Sequence, residues 1–105
     1  MIKISVARDF SNVPAGRFYE DGPVSGQRFR EKVLVPALAK GQVEICLDAE
    51  GYGSSFLEEG FGGLVRYEGF TESQLRSVLT FESDDDSLPV EIWGYISDAQ
   101  KVKDK

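Results

Sequence analysis

The 105-residue chain has 12 Lys plus Arg against 18 Asp plus Glu, a formal net charge of -6, and no histidine. Without imidazole there is no Ser-His-Asp or Cys-His nucleophile pair and no His-ligated zinc, and the lone Cys46 forms neither an internal disulfide nor a thiolate metal site. The acidic balance argues against nucleic acid as a partner, and a 41% hydrophobic chain of this length builds one core.

Ile2, Ile4 and Val6 alternate with Lys3 and Ser5, the period of a strand with one buried face. A polar, Pro-containing connection from Asp9 to Gly16 leads to a short extended piece, Arg17-Phe18-Tyr19, placed to form a hairpin with the first strand. Asp21-Gly22-Pro23 supplies turn chemistry. Ser25 is the expected N-cap of a helix that buries Phe29, Val33, Leu34, Ala37 and Leu38 and ends at Gly41. Pro36 removes its own N–H and crowds the Lys32 carbonyl, which predicts a kink or an early end.

Val43 to Leu47 reads as a strand with Val43, Ile45 and Leu47 on one face, and Cys46 is read as an inert core thiol. Asp48 closes this strand. The Gly51-Tyr52-Gly53 loop then enters a helix in which Ser55 and Glu58 have capping-box spacing and Phe56, Leu57, Phe61, Leu64 and Val65 form the apolar set. Gly60, Gly62 and Gly63 each weaken that helix by roughly 1 kcal/mol relative to alanine, so close packing of a neighbouring element is the expected reason for them.

Gly69 suits a C-terminal cap, and Thr71 with Gln74 gives a second capping box ahead of a short helix to about Arg76. Val78 to Glu82 has strand propensity. Asp84-Asp85-Asp86 precedes a final helix starting near Pro89, where carboxylates complement the positive end of the helix dipole better than they fit a calcium loop. That helix is expected to turn Val90, Ile92, Trp93 and Ile96 inward. The pattern is α/β: a mixed sheet of about four strands packed with about four helices, one domain over residues 1–99 and a solvated tail over 100–105. No apolar run approaches transmembrane length and the first residues lack a signal peptide's apolar region, so no membrane contact and a cytoplasmic location are expected.

Polar groups concentrate where the central strand gives way to a glycine turn and a helix start, from Asp48 to Glu59, the edge of open α/β sheets that commonly carries function. Ser55 there is either an N-cap with Glu58 as its partner or a site at which the helix dipole favours a phosphate. Arg17, Ser25, Arg28 and Arg30 form a second distinctive stretch, read either as anion-binding groups or as arginines in surface ion pairs.

The string G-Y-G-S-S-F-L-E-E-G-F-G-G-L-V, with L-D upstream and the earlier G-R-F-x-E-D-G-P-x-S-G-Q-R-F-R-E, resembles a bacterial STAS-like family of unknown function over roughly Ile2 to Ala99. That family is similar to the STAS domains of anti-sigma-factor antagonists, small α/β proteins that bind GHKL-type serine kinases and are phosphorylated by them. The resemblance implies that Asp48 matches the antagonists' strand-end aspartate and Ser54-Ser55 their hydroxyl pair, with Ser55 at the acceptor position. Gly53 stands where the antagonist motif has aspartate and Phe56 where it has glycine. The resemblance implies a non-enzymatic regulatory module that docks a GHKL-type ATPase or kinase through Gly51 to Phe61, with Asp48, Gly51, Gly53, Ser54, Ser55, Phe56, Glu58 and Glu59 as candidate contacts and no cofactor or metal. Two other readings stand beside it. One is a sensor of a small anion or nucleotide at the same helix start, neutralised by Arg17 or Arg30. The other is a hydrolase with Ser54 or Ser55 as nucleophile and Asp48 as a weak base.

Overall fold

A computed structural model describes residues 1–105. Strand β1 (Ile2–Ser5) stops one residue short of Val6, which instead opens a single helical turn, α1 (Val6–Asp9). The reason is local. Ser5 Oγ accepts the Arg8 N–H at 3.1 Å and the Asp9 carboxylate accepts the Ser5 N–H at 2.8 Å, so the chain is bent and β1 cannot extend. The expected polar connection also hides an anchor, Phe10, whose ring lies 5.1 Å from that of Phe29.

The expected strand at Arg17-Phe18-Tyr19 and its hairpin do not form. The Asp21 carboxylate accepts both the Arg17 and the Phe18 N–H groups and folds the segment into a tight turn, Tyr19–Asp21, between Gly16 and Gly22, which both have positive φ. Ser25 caps the next helix as its side chain predicts, accepting the Arg28 N–H at 3.2 Å. Helix α2 (26–38) consists of an α-turn Gly26–Phe29, a wide π-turn Arg30–Leu34 and a last α-turn Val35–Leu38. The kink expected from Pro36 is thus taken up just before it: in the wide turn the Val35 N–H reaches the Arg30 carbonyl, and the helix runs on through the proline.

Strand β2 (Val43–Cys46) leads to helix α3 (54–66), which repeats the α–π–α pattern as Ser54–Leu57, Glu58–Gly62 and Gly63–Arg66. Gly69, at φ +84°, turns the chain so that the Phe70 N–H donates to the Leu64 carbonyl. Helix α4 (Glu72–Val78) carries the expected reciprocal Thr71–Gln74 cap, and β3 (Leu79–Glu82) follows it directly. Helix α5 (Ser87–Lys103) begins two residues before Pro89 and continues beyond Ala99. Gln100, assigned from sequence to the tail, accepts the Glu72 N–H at 2.8 Å.

The sheet is not mixed and four-stranded but has three strands, all parallel, in the order β1-β2-β3. Each parallel connection must cross over, and the crossovers supply the helices. Ile4, Val43, Ile45, Leu47 and Leu79 point into the helical layer, while Lys3, Glu44, Cys46, Thr80 and Glu82 alternate onto the other face. Cys46 is therefore a half-buried residue of the polar face and not part of the core. Burial, then the nearby Asp48 and Glu82 carboxylates, pushes its thiol up, which keeps it protonated.

Rings run through the core in contact, Phe10 and Phe56 against Phe29, then Phe61, Phe81 and Trp93. Phe29, Phe56 and Phe61 are fully buried, each contributing roughly 1.5–3 kcal/mol. That outweighs the propensity lost at the neighbouring glycines. On α5, Ile92, Ile96 and Ala99 face inward, whereas Val90, expected inward, is 71% exposed because it lies two residues from Ile92, on the opposite side of the helix. Trp93 is half-buried, with the Arg76 guanidinium 4.3 Å from its ring centre. No helix is long and apolar enough to cross a membrane.

Candidate functional site

The start of α3 stands at the carboxyl edge of the sheet. Its cap is Gly53, whose carbonyl accepts the Leu57 N–H at 3.1 Å, and no side chain caps the helix. The Ser55–Glu58 capping box is not formed, because the helix already starts at Ser54 with Gly53 as its cap, which puts Ser55 inside the first turn. The turn before α3 is tied to the loop that follows α1. Asn12 accepts the Glu50 N–H through its carbonyl (3.0 Å) and its side chain (3.1 Å), and Pro14 accepts the Gly53 N–H at 3.3 Å. One donor that a helix start would offer to an anion is thus already used by the chain. Gly51 and Ser54 are exposed, and Gly53 and Ser55 are half-buried.

Asp48 is bound to the end of β1. Its carboxylate accepts the Ala7 N–H at 2.9 Å and the Ser5 hydroxyl at 2.5 Å, joining the end of β1 to the end of β2. These two bonds, the Ala7 amide first, hold it below the usual carboxylate range. A carboxylate so engaged is poorly placed to serve as base for Ser54 or Ser55. Beside it, between the 47–52 turn and the start of α5, lies a cleft of about 490 Å³. Asp48, Glu50, Asp84, Asp85 and Glu91 line it above Leu47, Leu57 and Leu88, with no Lys or Arg among the lining residues. Asp85 accepts both the N–H and the hydroxyl of Ser87, so it supports the helix start as its sequence position implies. Glu91 accepts the Tyr95 hydroxyl at 2.7 Å, and this bond, with burial, pushes the tyrosine up to about 12. No three of the chain's Cys, Asp and Glu side chains are placed to share a metal ion.

A charged seam joins α2 to α3 behind the turn. Arg30, 3% exposed, donates to the Glu59 carboxylate at 2.8 Å, the Glu59 carbonyl at 2.6 Å and Glu68 at 3.0 Å, and Glu59 is itself 2% exposed. Arg17 pairs with Glu58 and lies 3.5 Å from Glu59, while Arg66 pairs with Glu58 at 2.5 Å. Burial disfavours the charged form of Glu58, but Arg17 and Arg66 together outweigh it and leave the carboxyl lowered. Tyr67 closes the seam, with the Arg30 and Arg66 guanidinium carbons 5.0 and 5.5 Å from its ring centre.

The seam explains two of the α3 glycines. A Cβ on Gly63 would lie 2.1 Å from Arg30 Nη1, and one on Gly26 would lie 2.4 Å from the Phe56 carbonyl oxygen. Gly62 is bordered by Arg66 and Glu58, and Gly60 meets the Gly26 backbone across the helix pair. Close packing against an arginine side chain accounts for Gly63 and, less severely, Gly62, whereas a Cβ on Gly60 would make only ordinary contacts, the nearest 3.6 Å away.

The sequence candidates therefore divide. Gly51, Gly53, Ser54 and Ser55 form one accessible turn. Phe56 is a core ring, Glu59 is the buried partner of Arg30, and Ser25 is a fully buried cap, so none of these three offers a surface. Arg17 and Arg30, read as anion-binding groups, already hold carboxylates that an anion would have to displace; Arg28 is exposed. Sequence reasoning missed Arg66, Tyr67 and Glu68, which the wide turn Glu58–Gly62 brings against Glu58 and Arg30. It also missed Asn12 and Pro14, whose bonds reach a turn distant in sequence, two of the three through backbone carbonyls.

Residues 25–88 match the family model described as a STAS-like domain of unknown function. The match spans more than half of the chain, from the cap of α2 to the start of α5, and the chain belongs to that family. No curated protein matches the chain. No solved structure matches it.

Proposed function

We propose that this member of the STAS-like family is a non-enzymatic signalling module of the bacterial cytoplasm that docks a partner protein through the turn Gly51 to Ser55 and the adjoining start of α3. The partner class that the resemblance to anti-sigma-factor antagonists suggests is a GHKL-type ATPase or serine kinase. The observation that carries the reading is the turn itself. It projects at the carboxyl edge of the sheet with Ser54 exposed, and neither serine is used to cap the helix behind it. A serine released from capping is free to meet a partner.

The seam supplies the means of response. Ser54 lies one helical turn from Glu58, and Ser55 one turn from Glu58 and Glu59, so a phosphate on either serine adds negative charge beside these carboxylates and competes with them for Arg17. Arg17 also anchors its own loop, since its carbonyl accepts the Gln27 N–H at 3.0 Å. Moving its guanidinium from glutamate to phosphate transmits the modification to the 15–27 segment. The anion-sensor alternative draws less support, because the arginines it needs are paired and the adjacent cleft is lined with carboxylates.

The test is to mix the purified chain with a GHKL-type serine kinase from the same genome and ATP, then to read intact mass and complex formation by calorimetry. The expected result is a complex, weakened at least tenfold by Ser54→Glu or Ser55→Glu, and a single added phosphate absent from the Ser54→Ala, Ser55→Ala double variant. Neither complex nor modification with any such kinase of that genome overturns the reading.

A further inference from the structure

We draw no further inference here: the strongest candidate, the cleft at the carboxyl ends of β2 and β3 between the 47–52 turn and the start of α5, is a cluster of carboxylates over three leucines with no second feature in the structure that points to a ligand.

Discussion

Helices α2 and α3 lie side by side, and each begins near a serine, yet the two serine sites differ in what they do. Ser25 is fully buried and its hydroxyl holds the first turn of α2, whereas Ser54 and Ser55 cap nothing and leave the start of α3 to Gly53 and to the backbone of Pro14. Behind both starts the helices are locked by the same buried pair, Arg30 and Glu59. The difference teaches how a small domain keeps one loop available: the rigid element is fixed by a seam deep in the helix pair, so the residues at its tip need not stabilise it.

Breaking the seam gives the largest expected effect. Glu59→Ala removes the buried carboxylate from Arg30, and removing one partner of a buried ion pair destabilises by roughly 3–5 kcal/mol, measurable by urea denaturation. Gly26→Ala comes next. Its methyl group would collide with the Phe56 carbonyl, a backbone atom that cannot step aside, and overpacking of this kind lowers stability by about 1–3 kcal/mol. At the two helix starts the comparison itself is tested. Ser25→Ala is expected to lower stability by roughly 1–2 kcal/mol, and Ser54→Ala or Ser55→Ala by less than about 0.5 kcal/mol, in the same denaturation series. Equal losses at Ser25 and Ser55 would show that the α3 serines are structural after all.

The smallest effect concerns pH. Glu58 has a folded pKa below its unfolded value, so its contribution to stability is present above the unfolded carboxyl range and is lost as pH falls through the lowered folded value. Glu58→Gln is therefore expected to be less stable than the parent at neutral pH, with the gap closing from roughly pH 4.3 downward. Thermal midpoints of both proteins between pH 7 and pH 3 test this. A gap that persists at pH 3 would assign the loss to packing and not to charge.

Much of the local structure was legible because it rests on short-range chemistry. Thr71 and Gln74 cap α4 through their own side chains, Ser25 caps α2, and the alternation of Val43, Ile45 and Leu47 sets the buried face of β2. The two misread strand segments share a cause. Arg17-Phe18-Tyr19 has strand composition, but the Asp21 carboxylate takes its N–H groups first, and Val6 continues the β1 alternation until Ser5, Asp9 and Asp48 bend the chain. Each time, a side chain a few residues or a whole element away claimed backbone donors that the periodicity assigned to a ladder. The candidate segment divides in the structure in a way its letters do not show, since Phe56 and Glu59 lie in the same short run as Ser54 but point inward.

By itself the sequence determined the chemical limits and the parts: a chain without histidine and with a single cysteine, alternating β1 and β2, helices capped by Ser25 and Thr71, and three glycines in α3 that pointed to a close neighbour. Only the tertiary structure decided that the sheet is parallel throughout, that the close neighbour at Gly63 is Arg30, and that Asp48 binds the end of β1. The division follows from range. Capping, turn chemistry and strand alternation act over a few residues and are written in adjacent letters, whereas Arg30 and Glu59 are 29 positions apart and Ser5 and Asp48 are 43 apart, and their pairing exists only once the helices and strands have packed.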